Sequence, residues 1–254
     1  MPAASALIGA TGFVGGNLQR QARFDEHYNS KNISEIRGKT FDLLVCAGVT
    51  AVKWWANKNA EEDRARIDSL LADLASVRAR NVVVLSTVDV YPVASGPDET
   101  FACHSLPNHA YGTNRLYFED AMRELFSDAM VVRIGGVFGP GLKKNVIFDL
   151  INNNCLDAIN PASSFQYYNV GNLWRDLVVA QDAGLKLVNF VTEPIGTGTI
   201  IEQFFPGKVV GTNAAPEAHY DIRTLHSGVF GGPDGYLASS STVLSELGQF
   251  IRTR

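Results

Sequence analysis

Short apolar runs alternate with amphipathic stretches along the first half of the chain. Ala6-Leu7-Ile8, Phe41 to Ala47, Val82 to Leu85 and Val131 to Ile134 are each bounded by Gly, Asp or Ser. Runs without polar alternation suit strands buried on both faces. Between them, Ala60 to Arg78 places Ile67, Leu70, Leu71, Leu74 and Val77 on one stripe with charges opposite, which predicts a helix. A second helix is predicted after Tyr111, with Leu116, Met122, Leu125 and Phe126 on one stripe and Glu119, Asp120, Arg123 and Glu124 on another. Strands alternating with helices imply an α/β fold, a doubly wound parallel sheet. From about Gly139 the texture changes: Asn, Gly, Pro and Ser rise, and aromatics cluster at Phe165-Gln166-Tyr167-Tyr168 and Phe204-Phe205. A helix over Leu173 to Leu185 and a strand over Leu187 to Val191 are expected to return the chain to the sheet. The expectation is one domain over residues 1–254, with residues 141–254 forming a small substrate lobe interleaved with the last sheet elements.

Composition narrows the function. A chain of 254 residues, 46% of them hydrophobic, can bury a full core. Lys plus Arg number 22 against 26 Asp plus Glu, a net charge of −4 without any basic block, which argues against nucleic acid or an acidic membrane as partner. Cys46, Cys103 and Cys155 are an odd, widely spaced set that suggests neither a disulfide framework nor a metal site, so a reducing cytoplasm is expected. The opening run has no basic segment and reaches glycine too soon for a signal peptide or membrane span.

The 23 glycines need a further explanation, and their placement begins to supply it. Gly9-Ala10-Thr11-Gly12-Phe13-Val14-Gly15 has the spacing GxxGxxG, directly after a buried strand and before a helix expected to reach about Arg23. Glycine lets the backbone approach a pyrophosphate, and the amides at a helix start favour an anion there. Gly9, Thr11, Gly12, Phe13, Val14 and Gly15 are therefore candidate cofactor ligands in a Rossmann-type arrangement occupying residues 1–140. The tip of the second strand reads Tyr28-Asn29-Ser30-Lys31-Asn32, and the nearby carboxylates Asp25 and Glu26 fall at that strand's start. A carboxylate at the tip would accept from a ribose 2′-hydroxyl, whereas Asn29, Ser30 and Lys31 can donate to a 2′-phosphate. NADP is favoured over NAD on that reading, and a solvated loop cation is the alternative for Lys31.

The ordered set of GATGFVG, Leu44-Val45-Cys46-Ala47-Gly48, Leu85-Ser86-Thr87-Val88-Asp89-Val90-Tyr91, Tyr111-Gly112-Thr113-Asn114-Arg115 and Arg133-Ile134-Gly135-Gly136-Val137-Phe138-Gly139-Pro140 resembles the extended short-chain dehydrogenase/reductase superfamily. Its best-known members are nucleotide-sugar epimerases, dehydratases and reductases. The resemblance spans roughly Ala6 to Pro140 and implies three catalytic residues. Thr87 would hydrogen-bond the substrate oxygen, Tyr111 would exchange its proton, and Arg115 stands where the family has lysine, one helical turn after the tyrosine. A free phenol has a pKa of about 10 and needs a cation beside it to act as a base near neutrality. Arginine keeps the charge and can donate to ribose hydroxyls, but its planar fork differs from an ammonium and cannot release a proton. The resemblance further implies that Ala47, Gly48, Ser86, Gly136 and Val137 line the cofactor, with Gly136 standing where many members have Asn. Arg133 is read as structural.

Substrate contacts are expected downstream and past the strand ends. Trp54 and Trp55 either cap a flat substrate or pack as loop aromatics; His104 and His109 either touch substrate or face solvent. Segments like those carrying Lys143, Lys144, Asn145 and Gln166 hold diphosphate and base in nucleotide-sugar enzymes. Arg175 and Arg223 are alternative phosphate partners, or ion-pair with Asp176 and Asp221. The leading reading is an NAD(P)-dependent oxidoreductase or epimerase acting on a keto or hydroxyl group of a nucleotide-linked sugar. A dehydratase is disfavoured, because no acidic pair stands beside Thr87: the residues that follow are Val88 and Asp89. The alternatives are a non-catalytic NAD(P)-binding sensor or scaffold and a reductase of a small non-sugar carbonyl. A homodimer is in keeping with the family.

Overall fold

The computed structural model describes residues 4–253. Its centre is a six-stranded sheet. In chain order, β1 (Ser5–Ile8), α1 (Phe13–Leu18), β2 (Glu26–Tyr28), β3 (Thr40–Cys46), α2 (Lys53–Lys58), α3 (Ala60–Leu74), β4 (Arg78–Thr87), α4 (Ala110–Leu125) and β5 (Met130–Ile134) alternate as the apolar pattern implies. Then come β6 (Gly136–Phe138), α5 (Val146–Asn152), β7 (Ser164–Phe165), β8 (Tyr167–Asn169), α6 (Leu173–Asp182), β9 (Leu187–Phe190), β10 (Ile195–Gly196), α7 (Thr197–Phe204), α8 (Ser227–Phe230) and α9 (Ser240–Arg252). The sheet order is β2-β1-β3-β4-β5-β9, and the β2–β1, β1–β3 and β3–β4 pairings are parallel. This is a doubly wound order of the Rossmann type, in which the chain reverses direction across the sheet between β1 and β3.

The chain divides into two compact units. The first holds residues up to Pro92, Thr100–Arg133 and Trp174–Val188; the second holds Val93–Glu99, Ile134–Leu173 and the residues from Asn189 onward. In the first, Ile8, Leu44, Cys46, Val82, Val84 and Val131 from the strands pack with Ile67, Leu71 and Leu74 of α3 and Phe118 and Met122 of α4. In the second, Phe138, Ile147, Leu150, Tyr167, Ile195, Ile200, Val243 and Leu247 make a separate core.

Several boundaries differ from the periodicity. α3 ends at Leu74, not Arg78. Val77 is buried at the next helical phase, but its amide closes a turn on Leu74 and Arg78 already pairs with β3. α1 is six residues long and dissolves into turns at Gln19 to Ala22 well before Arg23, because Gly15, Gly16 and Asn17 are weak helix formers. α6 stops at Asp182, where Gly184 at φ +68° allows the Leu185 amide to close on Ala180. On α4 Glu119 is fully buried and Leu125 is exposed, the reverse of the stripes expected. Among the described residues no helix is long and apolar enough to cross a membrane. The three cysteines are free.

Candidate active site

Between β1 and α1 the glycine loop is shaped by close backbone approach. Gly9 has φ +83°, and a Cβ there would lie 2.2 Å from the Ala47 carbonyl oxygen. A Cβ on Gly15 would lie 2.2 Å from the Gly9 carbonyl oxygen, and one on Gly12 3.2 Å from the same atom. Gly9 and Gly15 are therefore required by the fold of the loop itself. The Gly9 and Ala10 amides both donate to the Tyr28 carbonyl (2.8 and 3.1 Å), which fixes the loop against the end of β2. Gly48 is bare because a Cβ would meet Ile8 at 2.7 Å.

At the tip of β2, Asn29 uses its side-chain oxygen to accept from the Lys31 amide, and Asn32 accepts from the Asn29 amide. The turn leaves Ser30 and Lys31 exposed. Glu26 lies at the strand's start as expected, with its carboxylate held 2.7 Å from the Lys39 ammonium and hydrogen-bonded by Tyr28.

Tyr111 is the second residue of α4, and the helix start is tied by side chains. His109 Nδ1 accepts from the Gly112 amide at 2.9 Å, and Asn57 Oδ1 from the Tyr111 amide at 2.9 Å. Asn108 donates to the Asp89 and Val90 carbonyls. The His109 and Asn57 bonds satisfy amides that a helix cannot satisfy internally, and the Asn108 bonds tie the helix start to the turn after β4, which together fix the tyrosine. Thr87 ends β4 in extended conformation; its hydroxyl accepts from the Asp89 amide and stands 3.5 Å from the Asp89 carboxylate. Asp89 is itself paired with Lys53 at 2.6 Å. Burial pushes the Tyr111 phenol above its ordinary range; the Arg115 charge and a hydrogen bond with Thr87 oppose that without overcoming it. Burial, with Lys53 nearby, holds His109 below the usual imidazole range.

Arg115 lies beside Tyr111, its guanidinium carbon 4.4 Å from the ring centroid. Its fork, expected to reach a ribose, instead closes on Asp63 of α3: Nη1 donates to Oδ2 at 2.7 Å and Nη2 to Oδ1 at 2.9 Å. Nη2 also donates to the Thr50 carbonyl. Both side chains are buried, and Asn114 donates to the same carboxylate. Burial works against the Asp63 charge, but the bonds from Arg115 and Asn114 and the arginine charge hold its carboxyl below the usual range. The stripe continues: Glu119, two turns after Tyr111, is fully buried and pairs with Arg133 at 2.7 Å. Ser86, expected to line the cofactor, donates its hydroxyl to Glu119 at 2.6 Å. Arg133 is structural, as expected.

Asp63 and Asn57 were not singled out by motif. Asp63 did carry a signal: it lies four residues before Ile67, on the buried face of α3, where an acid needs a partner.

The expected substrate residues are mostly committed to structure. Trp54 is not on a loop but on α2, 66% exposed beneath Lys58, and Trp55 stacks under Arg66. Asn145, at φ +95°, caps α5 through the Phe148 amide and donates to Val137. The Gln166 amide is buried and bonded to backbone at Thr192 and Ile222, which makes it a brace and not a free substrate ligand. Gly136 pairs beside Tyr167, and any Cβ would lie 2.7 Å from the Gln166 carbonyl, too close for a side chain unless the backbone shifts. Val137 pairs with Tyr168 in the same ladder. Arg175 and Arg223 turn to Asp176 and Asp221, and His104 pairs with Asp120.

Sheet order and glycine loop define the class, a Rossmann-type α/β protein. Residues 36–194 match the NAD dependent epimerase/dehydratase family, and the chain belongs to it. That span includes Thr87, Tyr111 and Arg115 and starts after the glycine loop, which stands on its own geometry. No curated protein sequence matches the chain. Among solved structures it is similar to a dTDP-4-dehydrorhamnose reductase from Yersinia enterocolitica (15% identity, 98% of this chain and 99% of that one, TM-score 0.72). It is likewise similar to a UDP-glucose 4-epimerase from Thermotoga maritima, solved with UDP-glucose (12% identity, 98% and 97% covered, TM-score 0.74). A third is a UDP-glucuronic acid 4-epimerase from Bacillus cereus, solved with a fluorinated substrate analogue and NAD (14% identity, 98% and 99%, TM-score 0.72). At these identities the likeness is one of fold.

Proposed function

We propose that the chain is an NAD(P)-dependent oxidoreductase or epimerase acting on a keto or hydroxyl group of a nucleotide-linked sugar. The observation that carries this reading is the grouping of Thr87, Tyr111 and Arg115 at the β4 end and the start of α4, in a member of the epimerase/dehydratase family. The glycine loop fits a dinucleotide, because Gly9 and Gly15 leave backbone bare where a side chain would collide. Gly9, Thr11, Gly12, Phe13, Val14 and Gly15 would hold the diphosphate, with Ala47 and Gly48 beside it. Exposed Ser30 and Lys31, with Glu26 already bound to Lys39, favour NADP over NAD. The dinucleotide supplies or accepts the hydride when bound.

The chain's own residues handle the proton. Tyr111 Oη gives it to a carbonyl oxygen in reduction and takes it from a hydroxyl in oxidation; Thr87 orients that oxygen. Arg115 holds a positive charge against the ring. The closed Asp63–Arg115 pair is the one feature favouring the alternative, a cofactor-binding module without turnover. Fluorescence titration with NADPH and NADH, followed by hydride transfer to a nucleotide-linked 4-keto sugar, tests the proposal. It expects saturable binding, tighter for NADPH, and turnover. Binding without transfer to any keto or hydroxyl sugar nucleotide would support the module, and no binding would overturn both.

A further inference from the structure

The guanidinium on the Tyr111 ring is matched by a carboxylate. Arg115, on its own helix, is held bidentately by Asp63 from α3, with both side chains buried. Lys53, from α2, is held by Asp89 after β4 at 2.6 Å. The remaining titratable neighbour, His109 at the helix start, has Nδ1 occupied as an acceptor, which a doubly protonated ring could not be. So the charged groups acting on the phenol, Arg115 and Asp89, each stand in a closed ion pair, with Asp63 and with Lys53. A tyrosine acts as a base only where an unopposed cation stabilises its anion. A guanidinium whose charge is returned by a carboxylate at 2.7 Å does little of that, while it still packs on the ring.

We propose that Asp63 is a positioning residue that, through Arg115, sets how readily Tyr111 ionises. By holding Arg115 it adds to the burial that keeps Tyr111 a neutral phenol, so that at neutral pH carbonyl reduction starts from the resting form of the site, while hydroxyl oxidation must first ionise the phenol. This rests on the reading of Tyr111 as the proton-transferring residue. In the reductive step the C=O π bond breaks. The carbon gains a hydride, two electrons and a proton's mass, from the reduced dinucleotide. The oxygen gains the Tyr111 proton, and the phenolate recovers its own from water. The reverse step needs Tyr111 already ionised, a form the two closed ion pairs do not favour. The Tyr111 environment agrees, since burial outweighs Arg115 in setting its proton affinity.

The test reads ionisation directly, without turnover. Ultraviolet phenolate absorbance is titrated in the wild type and in Tyr111→Phe, and the difference isolates this tyrosine. The expected result is a Tyr111 phenolate that appears only above the ordinary tyrosine range. Asp63→Asn, which keeps the shape and one acceptor, should bring that midpoint down by about one pH unit, tenfold more phenolate at a given pH. It should move the acid limb of the pH profile for alcohol oxidation to lower pH by the same amount. Ionisation of Tyr111 near neutrality in the wild type would overturn the proposal even if Asp63→Asn failed to fold, and so would a midpoint that Asp63→Asn leaves unmoved. NADPH titration of the same proteins separates this from the broader reading: a chain that binds no dinucleotide fails as an oxidoreductase whatever its phenol does.

Discussion

Gly112 shows how a missing side chain sets the site. It follows Tyr111 inside α4, where alanine is ordinarily preferred to glycine by about 0.5–1 kcal/mol. Here a Cβ would lie 2.3 Å from both the Asp89 carbonyl oxygen and Asn108 Nδ2. Gly112→Ala should therefore lower the midpoint of denaturant unfolding instead of raising it, and reduce turnover by displacing the Tyr111 turn. Gly16 is the control: a Cβ there meets nothing nearer than 3.8 Å, so Gly16→Ala should be neutral or stabilising. At this scale the sequence was informative about chemistry and silent about commitment. Tyr111, Thr87 and Arg115 could be named through the family resemblance of the motifs that carry them. That the Arg115 fork is spent on Asp63, or the Gln166 amide on backbone, depends on contacts 52 and up to 56 residues apart in the chain, which no local pattern encodes.

Among the elements, α4 does most to organise the site. Tyr111, Arg115 and Glu119 follow one another at four-residue spacing, and the two charged members are buried against partners of opposite sign, Asp63 and Arg133. Removing one partner strands the other in the interior. Glu119→Ala, which leaves Arg133 without its carboxylate, should cost about 3–5 kcal/mol in unfolding free energy. Asp63 makes a prediction with a defined sign. Its folded carboxyl lies below the unfolded value, so its contribution is present above that value, about pH 4, and is lost as pH falls through the depressed one. Unfolding free energies of the wild type and Asp63→Asn should differ at neutral pH and approach each other as pH falls from about 4 through the depressed value; a gap that stayed constant with pH would show that the carboxylate's charge is not what matters. The helices themselves were legible from their apolar stripes, but their ends were not. Val77 is buried in helical phase but lies beyond the end of α3, Leu125 is in phase but exposed, and Glu119 was read as solvent-facing because a charge is seldom buried unpaired.

For the whole molecule, the first 134 residues were readable because continuous apolar runs, glycine punctuation and motif order all point to one sheet. The later chain was harder. It passes between the two compact units several times, its strands are two to four residues long, and its glycines and asparagines serve turns such as those at Gly184 and Asn145. Short strands give no periodicity to read, so the second unit's core emerges only from packing. The central claim is that Tyr111 Oη moves the substrate proton in a dinucleotide-dependent reaction, and wild type against Tyr111→Phe tests it most directly. Single-turnover oxidation of bound NADPH by a nucleotide-linked 4-keto sugar should slow by about 10²–10⁴-fold in the variant, the range for loss of a general acid, while NADPH affinity is kept. Equal rates in the two proteins would contradict the account.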